Sequence, residues 1–147
     1  MAIGDHDITR AIVRCISHLE RHRRKYINEH LTDMELRGSM FLALNFLKHN
    51  PGCSQDRLCS ELIIDKGNAA RMCRQLEEMG YIRREQSPED RRQNMLFLTE
   101  LGEEKIPVIQ KQLGNWRSAA TNGMTDEELS TLIKLLERMQ KNVTELE

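Results

Sequence analysis

Residues 65–102, DKGNAARMCRQLEEMGYIRREQSPEDRRQNMLFLTELG, decide the fold of this chain because they encode a helix, two strands and a polar loop in close succession. Asp65 can accept a hydrogen bond at the start of a helix, and Gly80 can end that helix. One face of the helix is apolar at helical spacing, through Ala69, Met72, Cys73, Leu76 and Met79. The other face carries side chains that donate to base edges and phosphates when a helix enters a major groove: Lys66, Asn68, Arg71, Arg74 and Gln75. The stretch predicts a DNA-reading helix.

The second half of the same stretch predicts a β-hairpin with a projecting loop, or wing. Residues 81–85 and 95–99 alternate as strands do, and the polar segment between them is too long for a two-residue turn. Arg91 and Arg92 lie at its tip, where guanidinium groups can enter a minor groove of negative potential. We expect Asp90 to pair with one of these guanidinium groups and hold it extended.

Helices are predicted on both sides of this motif. Periodicity and stop signals place them at about residues 7–30, 33–48 and 55–62, from about residue 100 onward, and at 126–146. Ser54 is the expected N-cap of the third helix. The predicted fold class is therefore mainly α with a small β-hairpin, in one domain over 1–147 whose winged helix-turn-helix spans about residues 33–102.

The terminal helices, at residues 7–30 and 103–147, carry apolar stripes longer than a small winged motif can cover. A symmetric dimer covers such stripes and presents two reading helices about 34 Å apart, which implies a palindromic operator. The opposing interpretation is that these helices fold back to complete a monomeric core.

Five motifs give the chain a family resemblance. These are NPGxSQDxL at 50–58, DKG at 65–67, LExxGYIxR at 76–84, DRR at 90–92 and LTxxG at 98–102. In them the chain resembles the MarR family of bacterial winged helix-turn-helix regulators. The resemblance implies a transcriptional regulator of double-stranded DNA, acting as a homodimer with interlocking terminal helices, most often a repressor that an effector releases.

The resemblance also assigns roles to residues. It implies that Arg92, with Asp90, supplies the minor-groove arginine of the wing, and that contacts of the reading helix fall on Lys66, Asn68 and Arg71. Together with the pattern of the residues, it gives this set of expected DNA contacts: Ser54, Gln55, Lys66, Gly67, Asn68, Arg71, Arg74, Gln75, Arg84, Asp90, Arg91 and Arg92. Gly67 costs helix stability, which indicates either close approach of the backbone to a phosphate or a permissive first turn.

Composition limits the other classes of function. The formal net charge is −1, so attraction to DNA must come from local asymmetry: residues 66–92 hold seven Lys or Arg against five Asp or Glu, while 126–147 hold three against six. No apolar run is long enough for a membrane span, and residues 1–7 lack the apolar core of a signal peptide, so the sequence predicts a cytoplasmic protein. No nucleophile, base and orienting group occur in an enzyme motif, so neither an enzyme nor a cofactor is predicted. A winged helix that only docks proteins is the alternative from another class, and it would not need cations on both helix and wing.

Three inputs are conceivable for a regulator of this kind. An anionic or aromatic ligand could use the cationic run at residues 21–25, which includes His22, together with an apolar wall of Tyr26, Phe41, Phe46 and Trp116. The alternative is that the run is a solvated helix face.

Oxidation of Cys15 is the second input. The position of Cys15 is similar to that of the sensing cysteine in the organic-hydroperoxide branch of the family, although Leu19 stands where that branch has a tyrosine. His18, His22 and Arg14 could favour a thiolate, whereas a lone cysteine on an apolar stripe is more often a packing residue.

A metal is the third input, since Cys15, His18 and His22 share one helical face, but no CxxC or HExxH motif supports it and no metal is predicted. Without a secretion signal, the four cysteines are expected to be reduced, with Cys59 and Cys73 packed in the motif and Cys53 exposed in a loop.

Overall fold

The structure is a computed structural model, which describes residues 5–146 and confirms the predicted fold class. In chain order its elements are α1 (Asp5–His30), a 3₁₀ helix (Thr32–Met34), α2 (Met40–His49), β1 (Cys53–Ser54), α3 (Gln55–Leu62), α4 (Lys66–Glu78), β2 (Ile82–Gln86), β3 (Asn94–Leu98), α5 (Glu100–Ala120) and α6 (Asp126–Thr144). Residues 1–7 were predicted not to form a signal peptide, and residues 1–4 of that segment lie outside the described residues.

The second helix is shorter than predicted. It was expected from about residue 33, but α2 begins at Met40, and Asp33 belongs to the separate 3₁₀ helix. The backbone between them turns through the left-handed region at Glu35 (φ 55°) and Gly38 (φ 56°). A helix cannot continue through such residues, so the chain changes direction before α2.

The wing belongs to a three-stranded antiparallel sheet with the order β1-β3-β2. In the hairpin, β2 lies one residue later in the chain than predicted, and β3 lies one residue earlier. The additional strand, β1, pairs Cys53 with Leu96 and Ser54 with Met95. Sequence analysis missed it because two residues are too few to show a strand periodicity.

The core of the winged motif is shielded from solvent. Its most fully buried side chains come from α2, α3, α4 and the sheet, and include Phe41, Leu44, Leu58, Cys73, Leu76, Ile82 and Leu96. The start of α5 packs tightly on this body, because a Cβ at Gly102 would lie 2.1 Å from the carbonyl oxygen of Tyr81. Thr99 fixes the same junction by donating from Oγ1 to the Gly80 carbonyl at 2.5 Å and accepting from the Gly102 N–H at 3.0 Å. The LTxxG motif therefore anchors the wing to α5.

Two compact units divide the chain between Leu113 and Gly114. Within the first unit, α1 exposes a row of large apolar side chains, Ile8, Ile12, Val13, Ile16 and Leu19. Within the second, α6 begins with a capping box of Thr125 and Glu128 and has no buried residue along its 19 positions. The described part of the chain contains no helix that is both long and apolar enough to cross a membrane.

Candidate nucleic-acid interface

The reading helix α4 begins at the predicted cap. Asp65 Oδ1 accepts the backbone N–H of Asn68 at 2.8 Å. The predicted apolar face is buried, with Cys73 and Leu76 at 0% exposure, so the opposite face is turned to solvent. A Cβ at Gly67 would come within 3.3 Å of Asp65 Oδ1. Glycine at this position therefore leaves room for the cap, which is a structural reason for Gly67 that needs no phosphate.

The polar side chains of α4 divide into an ordered part and a free part. Asn68 Nδ2 donates to Asp65 Oδ2 at 2.5 Å, and Arg71 Nη1 donates to Asn68 Oδ1 at 3.4 Å. This chain of bonds orients Arg71 from the cap. Lys66 and Arg74 are exposed and have no ion pair among residues 5–146, so their charges are available to a polyanion.

The wing tip is ordered by its own backbone. Ser87 Oγ accepts the N–H groups of Glu89 and Asp90, both at 3.3 Å. Asp90 Oδ1 accepts the backbone N–H of Arg92 at 2.9 Å. The prediction that Asp90 pairs with a guanidinium of Arg91 or Arg92 is therefore wrong. Asp90 instead shapes the turn, and the Arg91 and Arg92 side chains are exposed.

The first turn of α3 lies beside the wing tip. Ser54 Oγ accepts the backbone N–H of Arg57 at 3.1 Å, which confirms the predicted cap. A cleft of about 90 Å³ is lined by Ser54, Gln55, Asp56, Arg92, Gln93 and Asn94. The structure thus brings together the α3 and wing residues that were predicted separately as DNA contacts.

Arg84 differs from the other predicted contacts because its guanidinium has protein partners. Nε donates to Glu77 Oε2 at 2.7 Å, and Nη1 donates to Gln55 Oε1 at 3.4 Å. The neighbouring Arg83 pairs with Glu85 and lies 4.4 Å from the centre of the Phe97 ring. These bonds hold Nε and Nη1 of Arg84 within the protein, and its role as a DNA contact stays a prediction. Within residues 66–92 the cations without an ion pair are Lys66, Arg71, Arg74, Arg91 and Arg92.

Three of the four thiols lie in the winged motif and are buried. Burial raises the pKa of the Cys73 thiol to about 11, against a smaller lowering by Arg84. Burial likewise raises the pKa of Cys53, and Arg57 partly offsets it. Cys59 Sγ donates to the Ile64 carbonyl at 2.7 Å. Cys59 and Cys73 are packing residues, as predicted, whereas the prediction of an exposed Cys53 is wrong.

Two of the residues predicted for an effector wall, Phe41 and Tyr26, make other contacts within the first unit. Phe41 is fully buried in the core. Tyr26 donates from its hydroxyl to Gln112 Oε1 at 3.2 Å and stacks on His30, with 4.0 Å between the ring centres. In the cationic run, Arg23 and Arg24 pair with Glu20, and Lys25 pairs with Glu29. The run therefore fits the alternative of a solvated helix face.

The Cys15, His18 and His22 trio is exposed on α1. The rings of His18 and His22 lie 6.3 Å apart between centres. Among the side chains that the structure describes, those of residues 7–146, no group of three or more His, Cys, Asp or Glu is placed to hold a metal ion.

A crevice beside α4 is a ligand-sized feature that the sequence did not predict. It has a volume of about 290 Å³ and is lined by Arg37, Gly38, Ser39, Met40, Ile64, Asn68, Arg71, Met72 and Gln75. A second crevice of about 360 Å³ shares Arg37, Met40 and Gln75 with it. The sequence carries no signal for this site, because its two walls lie far apart in the chain and meet only after the turn at Gly38 has formed.

A helix-turn-helix of α3 and α4, followed by a hairpin with an arginine-bearing tip, defines a winged helix-turn-helix protein. A model described as the MarR family matches residues 33–93. The chain is 30% identical to the HTH-type transcriptional regulator YybA of Bacillus subtilis (strain 168), over 90% of this chain and 88% of that protein.

Solved structures of MarR-family proteins are similar to this chain as well. A crystal structure of MarR is 33% identical, with 90% of each chain covered and a TM-score of 0.78. A MarR-family regulator from Listeria monocytogenes, crystallised with a 26mer DNA, is 26% identical with 90% and 89% covered and a TM-score of 0.86. The chain belongs to the MarR family of transcriptional regulators.

Proposed function

We propose that the chain acts in the cytoplasm as a homodimeric repressor that binds a palindromic operator and is released by an effector. The observation that carries the DNA-binding part is the group of five cations without ion pairs, on one face of α4 and on the wing tip. Arg71 would read base edges in the major groove, and Arg92 would enter the adjacent minor groove. The MarR-family relative crystallised with a 26mer DNA supports duplex DNA as the ligand. No enzymatic role is proposed.

The homodimer is supported by the apolar side chains that the terminal helices leave in solvent. Ile12 on α1 is 41% exposed and Leu132 on α6 is 41% exposed, although both lie in apolar rows at helical spacing. Rows of this kind on long helices mark contact with another protein surface. In a twofold dimer each row would be covered by the second copy, and the two copies of the reading helix α4 would face successive major grooves.

The effector site is proposed at the 290 Å³ crevice beside α4. Three of its lining residues, Asn68, Arg71 and Gln75, are also proposed DNA contacts. Arg37 and Arg71 offer positive charge, and Met40, Met72 and Ile64 offer apolar surface, which suits a small anion with an apolar body. Such a ligand would compete with DNA for Arg71 and would lower operator affinity.

A fluorescence-anisotropy titration tests the DNA-binding part. The protein is titrated into labelled duplex from upstream of its own reading frame and into random duplex of equal length, at several salt concentrations. We expect tighter binding to the first duplex, with an affinity that falls steeply with salt because several phosphates are neutralised. Equal binding to both would favour the alternative in which the winged motif docks proteins.

Oxidation of Cys15 remains the alternative input, because Cys15 is an exposed thiol on α1. The variant Cys15→Ser distinguishes release by a ligand from release by oxidation of Cys15. Under our proposal it binds operator and responds to effector as the parent does. Loss of an oxidant response in this variant alone would assign the switch to the thiol.

A further inference from the structure

One guanidinium, that of Arg84, joins three elements of the winged motif. Arg84 lies in the middle of β2, Glu77 in the last turn of α4 and Gln55 at the first position of α3. The bond to Glu77 is 2.7 Å long and charge-assisted, and the bond to Gln55 is 3.4 Å long. The Arg84 side chain is 24% exposed, less than the 46% of Glu77, so the guanidinium sits beneath its partner.

Because this ion pair lies at the base of the wing, a small rotation there would move the wing tip by a larger distance. From Arg84 to the tip at Asp90 the chain runs six residues, which span at most about 20 Å because β2 ends at Gln86 and the rest is a turn. A tilt of β2 by about 10° relative to α4 would then move the tip by at most about 3–4 Å. A minor groove is only about 6 Å wide, so a shift of this size separates an inserted guanidinium from its groove.

We propose that the Arg84–Glu77 ion pair is a positioning device that sets the wing at the angle to α4 that operator binding needs. The inference rests on the function proposed above and assigns Arg84 a role without phosphate contact. A direct contact would bring a phosphate close to the Glu77 carboxylate, which already accepts from Nε of the same guanidinium. The hydrogen bond to Gln55 extends the same device to α3, whose first turn lies beside Arg92.

The neighbouring residue provides a matched control. Glu78 is exposed, carries the same charge on the same helix, and makes no ion pair among residues 5–146. Glu78→Ala therefore reports the general effect of removing one negative charge near DNA, which is a modest gain in affinity. We expect Glu77→Ala to weaken operator binding about tenfold relative to Glu78→Ala, because it releases the wing.

Salt dependence distinguishes positioning from contact. Removal of a phosphate contact lowers the slope of log affinity against log salt by about one. We expect that loss for Arg92→Ala, whereas Arg84→Ala should weaken binding with its slope unchanged. Arg84→Lys retains a charge for Glu77, but its one nitrogen does not reproduce the two separated donors, Nε and Nη1, that bond Glu77 and Gln55. Its affinity should therefore fall between those of the parent and Arg84→Ala.

Hydroxyl-radical footprinting supplies a readout that general loss of stability would not move. In Glu77→Ala the protection at the minor groove under the wing should weaken, while protection around the reading helix persists. Thermal unfolding of each variant, read alongside, confirms that a folded protein is being compared.

Two results would overturn the inference: Glu77→Ala binding as tightly as Glu78→Ala, or Arg84→Ala losing one unit of salt slope. If the parent itself does not prefer operator over random duplex, the proposed function fails first and takes this inference with it.

Discussion

The winged motif and the terminal helices differ in how much apolar surface they leave in solvent. In α4, the apolar side chains of Ala69, Met72, Cys73 and Leu76 are buried, and five cations of α4 and the wing tip lack ion pairs among the described residues. In α1, Arg23, Arg24 and Lys25 are paired with acids of their own helix, while the large apolar side chains from Ile8 to Leu19 are exposed. The local density of Lys and Arg is similar in the two regions. Three of the six cations of α1 form ion pairs among the described residues, against two of the seven in residues 66–92, so the larger difference between the regions lies in their apolar side chains.

This difference indicates what each region is built to meet. Cations without ion pairs over a buried core suit a polyanion, since their charge is available to it. Exposed apolar rows on long helices suit another protein surface, where burial of apolar area drives association. A run of basic residues is therefore informative only when the acids three and four positions away are considered with it.

The largest expected effect comes from placing a charge in an exposed apolar row. Leu132→Glu on α6 should convert the dimer to monomers and lower operator affinity by about 100-fold or more, because two linked half-site contacts become independent. Light scattering during gel filtration measures the mass, and anisotropy measures the affinity. Lys134→Glu, on the opposite side of the same helix, changes the charge more and should leave both unchanged. A Leu132→Glu protein that stays dimeric would contradict the proposed role of the row.

The closed core of the winged motif predicts a stability that depends on alkaline pH. Burial raises the pKa of Cys73 from 9.0 to about 11, so folding favours the protonated thiol. This contribution is complete below pH 9 and is lost as the pH rises toward 11, with a total of about 2–3 kcal/mol. Urea unfolding from pH 7 to 11 should show a shallower decline for Cys73→Ala than for the parent. Parallel profiles would mean that Cys73 is more open to water than its neighbours indicate.

A smaller effect is expected from single members of the reading surface. Arg71→Ala and Arg92→Ala should each weaken operator binding by roughly 1–3 kcal/mol, and Arg71→Ala should also relax preference for one base pair. Arg24→Ala is the counterpart on α1, where the guanidinium already pairs with Glu20; we expect operator affinity to stay at the parent level. Anisotropy against the operator and against single-base variants measures all three. Equal losses for Arg24 and Arg71 would remove the contrast between the two regions.

The reading surface could be predicted from sequence because its signals are local. The Asp65 cap, the spacing of Ala69 to Leu76 and the alternation of the two strands each lie within a few residues, so helix, face and hairpin follow from periodicity. The same local signals located Ser54 as a cap. These features needed no knowledge of distant parts of the chain.

The remaining features depend on contacts between distant residues. Arg84 has the composition of a phosphate ligand, and only the fold places Glu77 and Gln55 against it. Phe41 was placed in an effector wall, yet the core closes over it. The start of α2 at Met40 follows from the left-handed residues Glu35 and Gly38, of which a glutamate gives no sequence signal.

The two helix caps offer the finest comparison between the regions. Thr125→Ala removes the capping box of α6, and Asp65→Ala removes the cap of α4. Each should lower helix stability by about 1 kcal/mol. Only Asp65→Ala should also weaken operator binding, because Asp65 orders Asn68, which in turn orders Arg71. That loss should appear although the substitution removes a negative charge beside DNA.

Thermal unfolding and anisotropy on both cap variants measure the two effects. If Asp65→Ala binds operator more tightly than the parent, removal of the negative charge outweighs the ordering of Arg71, and the cap serves the helix alone.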